Sequence, residues 1–189
     1  MNRHAPTVRH PATYQDVLDA PESIVAQLIE GALHLHPRPT LGHAVAGSSL
    51  TGTLNMSFQQ GRGGPGGWWI LVEPDLHPGP DVLVPDLAGW RRERMPDRPR
   101  EAWTSLAPDW VCEILSPGTR RIDLIDKRSL YAEAAVPFLW FVDPESQTLE
   151  AFALLGGEWT LVAALKDDAE VKVPPFEAVS FTLSVLWPD

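Results

Sequence analysis
The sequence predicts an α/β domain built on a mixed β-sheet flanked by helices, and three observations lead there. The elements run helix, hairpin, helix, three strands, helix, strand, hairpin, an order that suits one sheet covered by helices. Trp110 to Leu115 is almost continuously apolar apart from Glu113, as a strand covered on both faces must be. The chain has 189 residues, of which 44% are hydrophobic and 21% charged, enough for one real core and too few for two comfortable ones. Residues 1–189 are therefore expected to form a single domain, with the core over about 20–165 and a poorly tied segment over 1–12.

The first helix starts at Thr13-Tyr14-Gln15-Asp16, which has capping-box spacing with Asp in place of Glu or Gln, and ends near Ala20-Pro21. Ile24 to Ile29 and Ala32 to His36 flank the turn pair Glu30-Gly31 and predict a hairpin, with Leu33 and Leu35 alternating against His34 and His36. Pro37 and Pro39 stop that sheet, and Thr40 can cap a helix over 41–60. Its small residues (Ala44, Ala46, Gly47, Ser48, Ser49, Gly52) would let it pack close to a sheet. The glycine-rich run 61–67 is not a phosphate cradle, because a strand (Trp68 to Glu73) follows it and no Lys-Ser/Thr helix start does. Pro80 to Gly89 reads as the next strand, from the alternation of Val82 and Val84 before Pro85-Asp86, and 90–107 as an irregular connection. Trp110 to Leu115 leads into a helix over 119–135, ended by Val136-Pro137. Phe138 to Val142 is a further strand, Asp143-Pro144-Glu145-Ser146 a turn, and Thr148–Leu154 with Glu158–Ala164 around Gly156-Gly157 a closing hairpin.

Charge and composition exclude several classes. The net charge of -10 disfavours the broad attraction to phosphates on which most DNA-binding domains rely. Cys112 is the only cysteine, so the chain has no internal disulfide and no cysteine zinc site, which fits a reducing cytoplasm and a packed core thiol. No apolar run approaches the roughly 20 residues needed to span a bilayer.

The informative residues are two acids. Asp86 is expected to end one strand, and Glu113 lies inside the next, where apolar side chains are the rule. An isolated buried carboxylate costs several kcal/mol unless it is paired, hydrogen-bonded or bound to a cation. Lys127, one of three lysines in the chain, is a candidate partner, and Asp123 sits four residues before it on the same helical face. From spacing alone an ion-pair network is the first explanation of how the acids are neutralised and a divalent cation the second, since two carboxylates and a carbonyl suit Mg²⁺.

The segments Pro80 to Trp90 with its Pro85-Asp86, Pro108 to Thr119 with its Cys-Glu-Ile-Leu-Ser-Pro core, Asp123 to Lys127 with Tyr131, and Val136 to Pro144 together resemble the Uma-two family of restriction-endonuclease-like proteins, within the PD-(D/E)XK nuclease superfamily. The resemblance implies a restriction-endonuclease-like fold and a Mg²⁺-dependent DNA endonuclease, with Mn²⁺ a possible substitute. It assigns Asp86 and Glu113 as metal ligands. The superfamily's lysine would stand at Leu115; Lys127 on the following helix resembles the relocated lysine of this family. Relatives often carry an acid near Gln27, where this chain has an amide.

Accessory candidates are His43, able to face the site from the start of its helix, Asp123, able to position Lys127, and Glu73, at a strand end. Tyr131 and Trp140 read as core. Arg91, Arg92, Arg94, Arg98 and Arg100, with Arg120 and Arg121, could line the mouth of the site, although Glu93, Asp97 and Glu101 dilute them. DNA is thus the expected partner, and a homodimer suits cutting both strands of a duplex. The competing reading is a catalytically inactive module on the same fold that binds nucleic acid or protein.

Overall fold
The computed structural model describes residues 11–36, 40–97 and 100–188. The expected tail over 1–12 falls almost wholly outside them, as do Pro37, Pro39 and Arg98. Helix α1 (Tyr14–Leu18) begins where Asp16 accepts hydrogen bonds from the Thr13 backbone at 2.7 Å and the Thr13 hydroxyl at 2.8 Å. Strands β1 (Val25–Ile29) and β2 (Ala32–His36) form the expected antiparallel hairpin. Its two-residue turn has φ of 50° at Glu30 and 74° at Gly31, the left-handed pair that matches strand twist. Helix α2 (Leu41–Leu54) continues as a π-helical turn over Asn55–Gln59.

The central sheet has six strands in the order β10-β9-β8-β7-β5-β3. These are β3 (Trp68–Val72), β5 (Leu87–Arg91), β7 (Trp110–Ile114), β8 (Phe138–Asp143), β9 (Thr148–Leu155) and β10 (Glu158–Lys166). Within this sheet β7 and β8 form the parallel pair, joined by a crossover through a π-helical turn, Ile122–Lys127, and helix α3, Arg128–Glu133. The two-residue strands β4 (Asp75–Leu76) and β6 (Trp103–Thr104) pair beside it. The expected strand over 80–89 is displaced. Val82 and Leu83 make only single bridges, to Leu28 and Leu76, and the sheet strand begins after Pro85, so Asp86 stands just ahead of β5 instead of closing a strand. Pro80 and Pro85 bracket too short a run for a ladder, and proline cannot donate to one.

Because side chains alternate along a strand, β7 divides its residues between two cores. Trp110, Cys112 and Ile114 face α2, which contributes Ala46, Leu50 and Leu54 to that layer. A Cβ added to Gly47 would come within 3.2 Å of Ile114, so the small residues of α2 do bring it close to the sheet. The core also extends beyond the expected limit at residue 165: Val171, Val173, Phe176, Leu183 and Leu186, from the segment holding β11 (Glu170–Val171) and β12 (Phe181–Thr182), close the α2 layer. Phe176 packs its ring against Phe58, Trp68, Trp110 and Trp140. On the opposite face Val111 and Leu115 pack with Leu130, Tyr131, Val136 and Leu139. Glu113 points into this second layer. No helix among the described residues is long and apolar enough to cross a membrane.

Candidate functional site
Glu113, 1% exposed, would be an isolated charge without its neighbours. The crossover supplies them, because Asp123, Lys127 and Tyr131 follow one another at four-residue steps and share a face. Lys127 Nζ lies 2.6 Å from Glu113 Oε1 and 3.3 Å from Asp123 Oδ1, and donates to the Val84 carbonyl at 3.1 Å. Tyr131 donates its hydroxyl proton to the same Glu113 oxygen at 2.5 Å. Both bonds fall on Oε1 and leave Oε2 outside them.

Asp86 reaches the site from the loop ahead of β5. Its Oδ2 accepts a 2.6 Å hydrogen bond from the amide of Ile114, the residue after Glu113, which fixes the two acids beside one another. Its Oδ1 lies 3.1 Å from His43 Nε2. His43 arrives there because Thr40 caps α2, accepting from the His43 amide at 3.3 Å, and so sets the first helical turn against the acid. Gln27 Oε1 accepts the Val84 N–H at 2.8 Å, anchoring the loop that carries Asp86 to the hairpin. Glu73, at φ 46°, donates its backbone N–H to the Asp86 carbonyl at 3.0 Å. The structure therefore brings Asp86, Glu113, Lys127, Asp123, His43, Gln27 and Glu73 to one place.

The electrostatics are those of an acid-rich cluster with one lysine at its centre. Burial raises the Glu113 carboxyl to about 8; Lys127 opposes that rise, while Asp123 and Asp86 add to it. Burial pulls the Lys127 ammonium down, but Glu113, Asp123 and Asp86 outweigh it and hold the amine above its ordinary range. Both directions follow from excess negative charge in a dry setting. Burial likewise lowers the His43 imidazole, and its bond to Asp86 outweighs that and raises it. Cys112, buried in the α2 layer, has its thiol pushed well up by burial, as a packed core cysteine should.

A pocket of about 70 Å³ opens here, lined by Gln27, His36, His43, Asp86, Asp123 and Lys127 among others. A shallower groove of about 660 Å³ continues from His43, Glu73 and Asp86 along α2, past Ser48, Thr51, Gly52 and Asn55. Tyr131 and His36 hold places here that the sequence does not signal. Tyr131 reads as core, yet the four-residue step that joins Asp123 to Lys127 also reaches it. His36 carried no signal beyond its alternation in β2.

Arg91, Arg92, Arg94, Arg100 and Arg120 do not line this mouth as expected. Arg91, Arg92 and Arg94 lie at the far end of β5, roughly 16 Å of strand from Asp86. There Arg91 stacks on Trp68, Arg92 on Trp69, and Arg94 pairs with Asp109 at 3.0 Å. Arg100 lines a separate cleft of about 730 Å³ with Asp75, Asp97 and Glu101. Arg120 is taken up by Asp143 at 2.6 Å. Buried or half-buried carboxylates and indole faces attract these guanidiniums locally, so their clustering in sequence does not become a shared patch.

Comparison with known proteins matches residues 11–185 to the family described as "Uma2: Putative restriction endonuclease". A solved structure titled as a putative nuclease belonging to DUF820, from Anabaena variabilis, superimposes with a TM-score of 0.76 at 23% identity, covering 94% of this chain and 98% of that one. No curated protein matches.

Proposed function
The chain belongs to the Uma2 family, and from that premise we propose that it is a Mg²⁺-dependent DNA endonuclease that hydrolyses phosphodiester bonds, with Asp86 and Glu113 as the metal-binding acids. The observation that carries this reading is the 2.6 Å bond from the Ile114 amide to Asp86, which sets the two acids side by side with Lys127 against Glu113. Their donor chemistry fits a hard cation. Among the described residues no three His, Cys, Asp or Glu side chains converge as a ready-made cage, and Mg²⁺ characteristically takes only one or two carboxylates and fills its shell with water and phosphate. A cation held by Asp86 and Glu113 would also offset the charge excess that raises Glu113. When bound, Mg²⁺ or Mn²⁺ would stabilise charge on the phosphate and make coordinated water more acidic.

The protein's own groups divide the remaining work. Lys127, held by Glu113 and Asp123, presents a fixed positive charge toward the attacking water or the phosphate. Tyr131 orients Glu113, and His43 and the Ile114 amide orient Asp86. The 660 Å³ groove gives a nucleic-acid strand a path away from the acids. A dimer related by two-fold symmetry would present two such sites to a duplex.

The second reading, an inactive binding module, has its own support. Lys127 is already neutralised by two acids, Gln27 brings an amide and no further carboxylate, and the net charge is -10. Assaying DNA cleavage with Mg²⁺ or Mn²⁺ separates the two. Wild type should cut, with Asp86→Ala and Glu113→Ala reduced by about 1,000-fold or more. Absence of cleavage together with absence of metal binding by calorimetry would leave the binding module standing.

A further inference from the structure
His36, on β2, has no part in the chemistry derived so far, yet its Nε2 is buried and has no hydrogen-bond partner among the described residues. His36 lines the 70 Å³ pocket together with Asp86, His43, Asp123 and Lys127. Buried polar atoms in folded proteins are almost always paired, so an orphan on a residue lining this pocket points to a partner that arrives with a ligand. His34, on the same face of β2, lies nearly parallel to the His36 ring with 6.3 Å between centroids. The two cationic side chains there are committed: His43 to Asp86, and Lys127 to Glu113, Asp123 and the Val84 carbonyl.

We propose that His36 is a further catalytic residue, donating a hydrogen bond from Nε2–H to a non-bridging oxygen of the scissile phosphate. This rests on the nuclease reading of the same site. A metal-ligand role fits less well, because Mg²⁺ selects oxygen donors and Asp86 and Glu113 already supply them. The pocket has room for a few waters or one phosphate group, with the rest of the strand in the adjoining groove. The neutral imidazole suffices: it transfers no proton and stabilises charge as the bond to the leaving oxygen breaks.

The test compares wild type, His36→Ala, His36→Gln and, as a control, His34→Ala. Plasmid cleavage in Mg²⁺ should fall in kcat/KM by about 100-fold in His36→Ala, recover about tenfold in His36→Gln, whose amide can donate from a similar position, and change less than about twofold in His34→Ala. Calorimetric Mg²⁺ affinity and Tm should stay at wild-type values in His36→Ala. Separately, ¹⁵N NMR of the wild-type histidines titrated with inorganic phosphate should shift His36 Nε2 and leave His34 in place. Cleavage by His36→Ala at the wild-type rate overturns the proposal, as does parallel loss of Mg²⁺ binding, or a fall in Tm that Gln does not restore. Wild type that cuts no DNA overturns the nuclease reading itself; the phosphate titration then decides on His36 alone, and an unshifted Nε2 rejects it.

Discussion
The two faces of β7 are built from the same five-residue strand and solve opposite problems. Toward α2 it presents Trp110, Cys112 and Ile114 to an apolar layer completed by Phe176. Toward α3 it presents Glu113, whose charge is met by Lys127 and Tyr131. Packing on the first face is cumulative and non-directional, so its energy scales with the volume filled. On the second face a carboxylate and an amine must meet in one geometry. Removing one partner leaves an uncompensated charge, whereas removing both can cost little. The first face holds the sheet together, and the second carries the proposed chemistry.

That contrast can be broken in stages. The largest expected effect on stability is Phe176→Ala, at about 3–5 kcal/mol, since the ring sits among four aromatic neighbours; denaturant titration measures it, and cleavage per folded molecule should be unchanged. Lys127→Met alone should cost a comparable 3–5 kcal/mol by stranding Glu113, while Lys127→Met with Glu113→Leu should regain most of it. Both variants should lack cleavage, so stability and activity part company on this face alone. If the double variant is as unstable as the single, the charge pair is not what the face depends on. Tyr131→Phe removes one bond to Glu113 and keeps the ring, so a loss of about 1–3 kcal/mol is expected by the same titration.

The smallest effect lies at the end of β8. Burial pushes the Asp143 carboxyl up, but hydrogen bonds from Arg120 and from Ser146 outweigh it and hold it below its ordinary value. A lowered folded pKa stabilises above the unfolded value near 4, and the contribution disappears as pH falls through the folded one. Asp143→Asn should therefore narrow the acid-side loss of stability, with a difference under about 1 kcal/mol at neutral pH because Arg120 is half exposed. Urea midpoints measured between pH 7 and pH 2 check the sign.

Much of this was legible before any coordinates, for reasons that differ by residue. Glu113 stands out because it interrupts an apolar strand, and the four-residue step from Asp123 to Lys127 foretold the shared face. The Thr40 cap put His43 at the start of α2, within reach of the site. Asp86 was placed at the wrong end of a strand because Val82 and Val84 alternate like a strand, while Pro80 and Pro85 prevent one from forming. The segment after residue 165 gives no sequence signal, because two-residue strands such as β11 and β12 carry no period to detect. The arginines were misjudged because proximity in sequence says nothing about which local acid or indole captures each one. His36 and His34 alternate identically with their neighbours, and only the packed hairpin distinguishes them.

The central claim, that Asp86 and Glu113 form one metal-binding pair, is tested most directly by a crystal soaked in Mn²⁺ and measured for anomalous scattering. The account predicts a peak bonded to Asp86 and to Glu113 Oε2 at about 2.0–2.2 Å, with water completing the shell. A well-ordered site with Lys127 still closing on Glu113 and no peak there would contradict it.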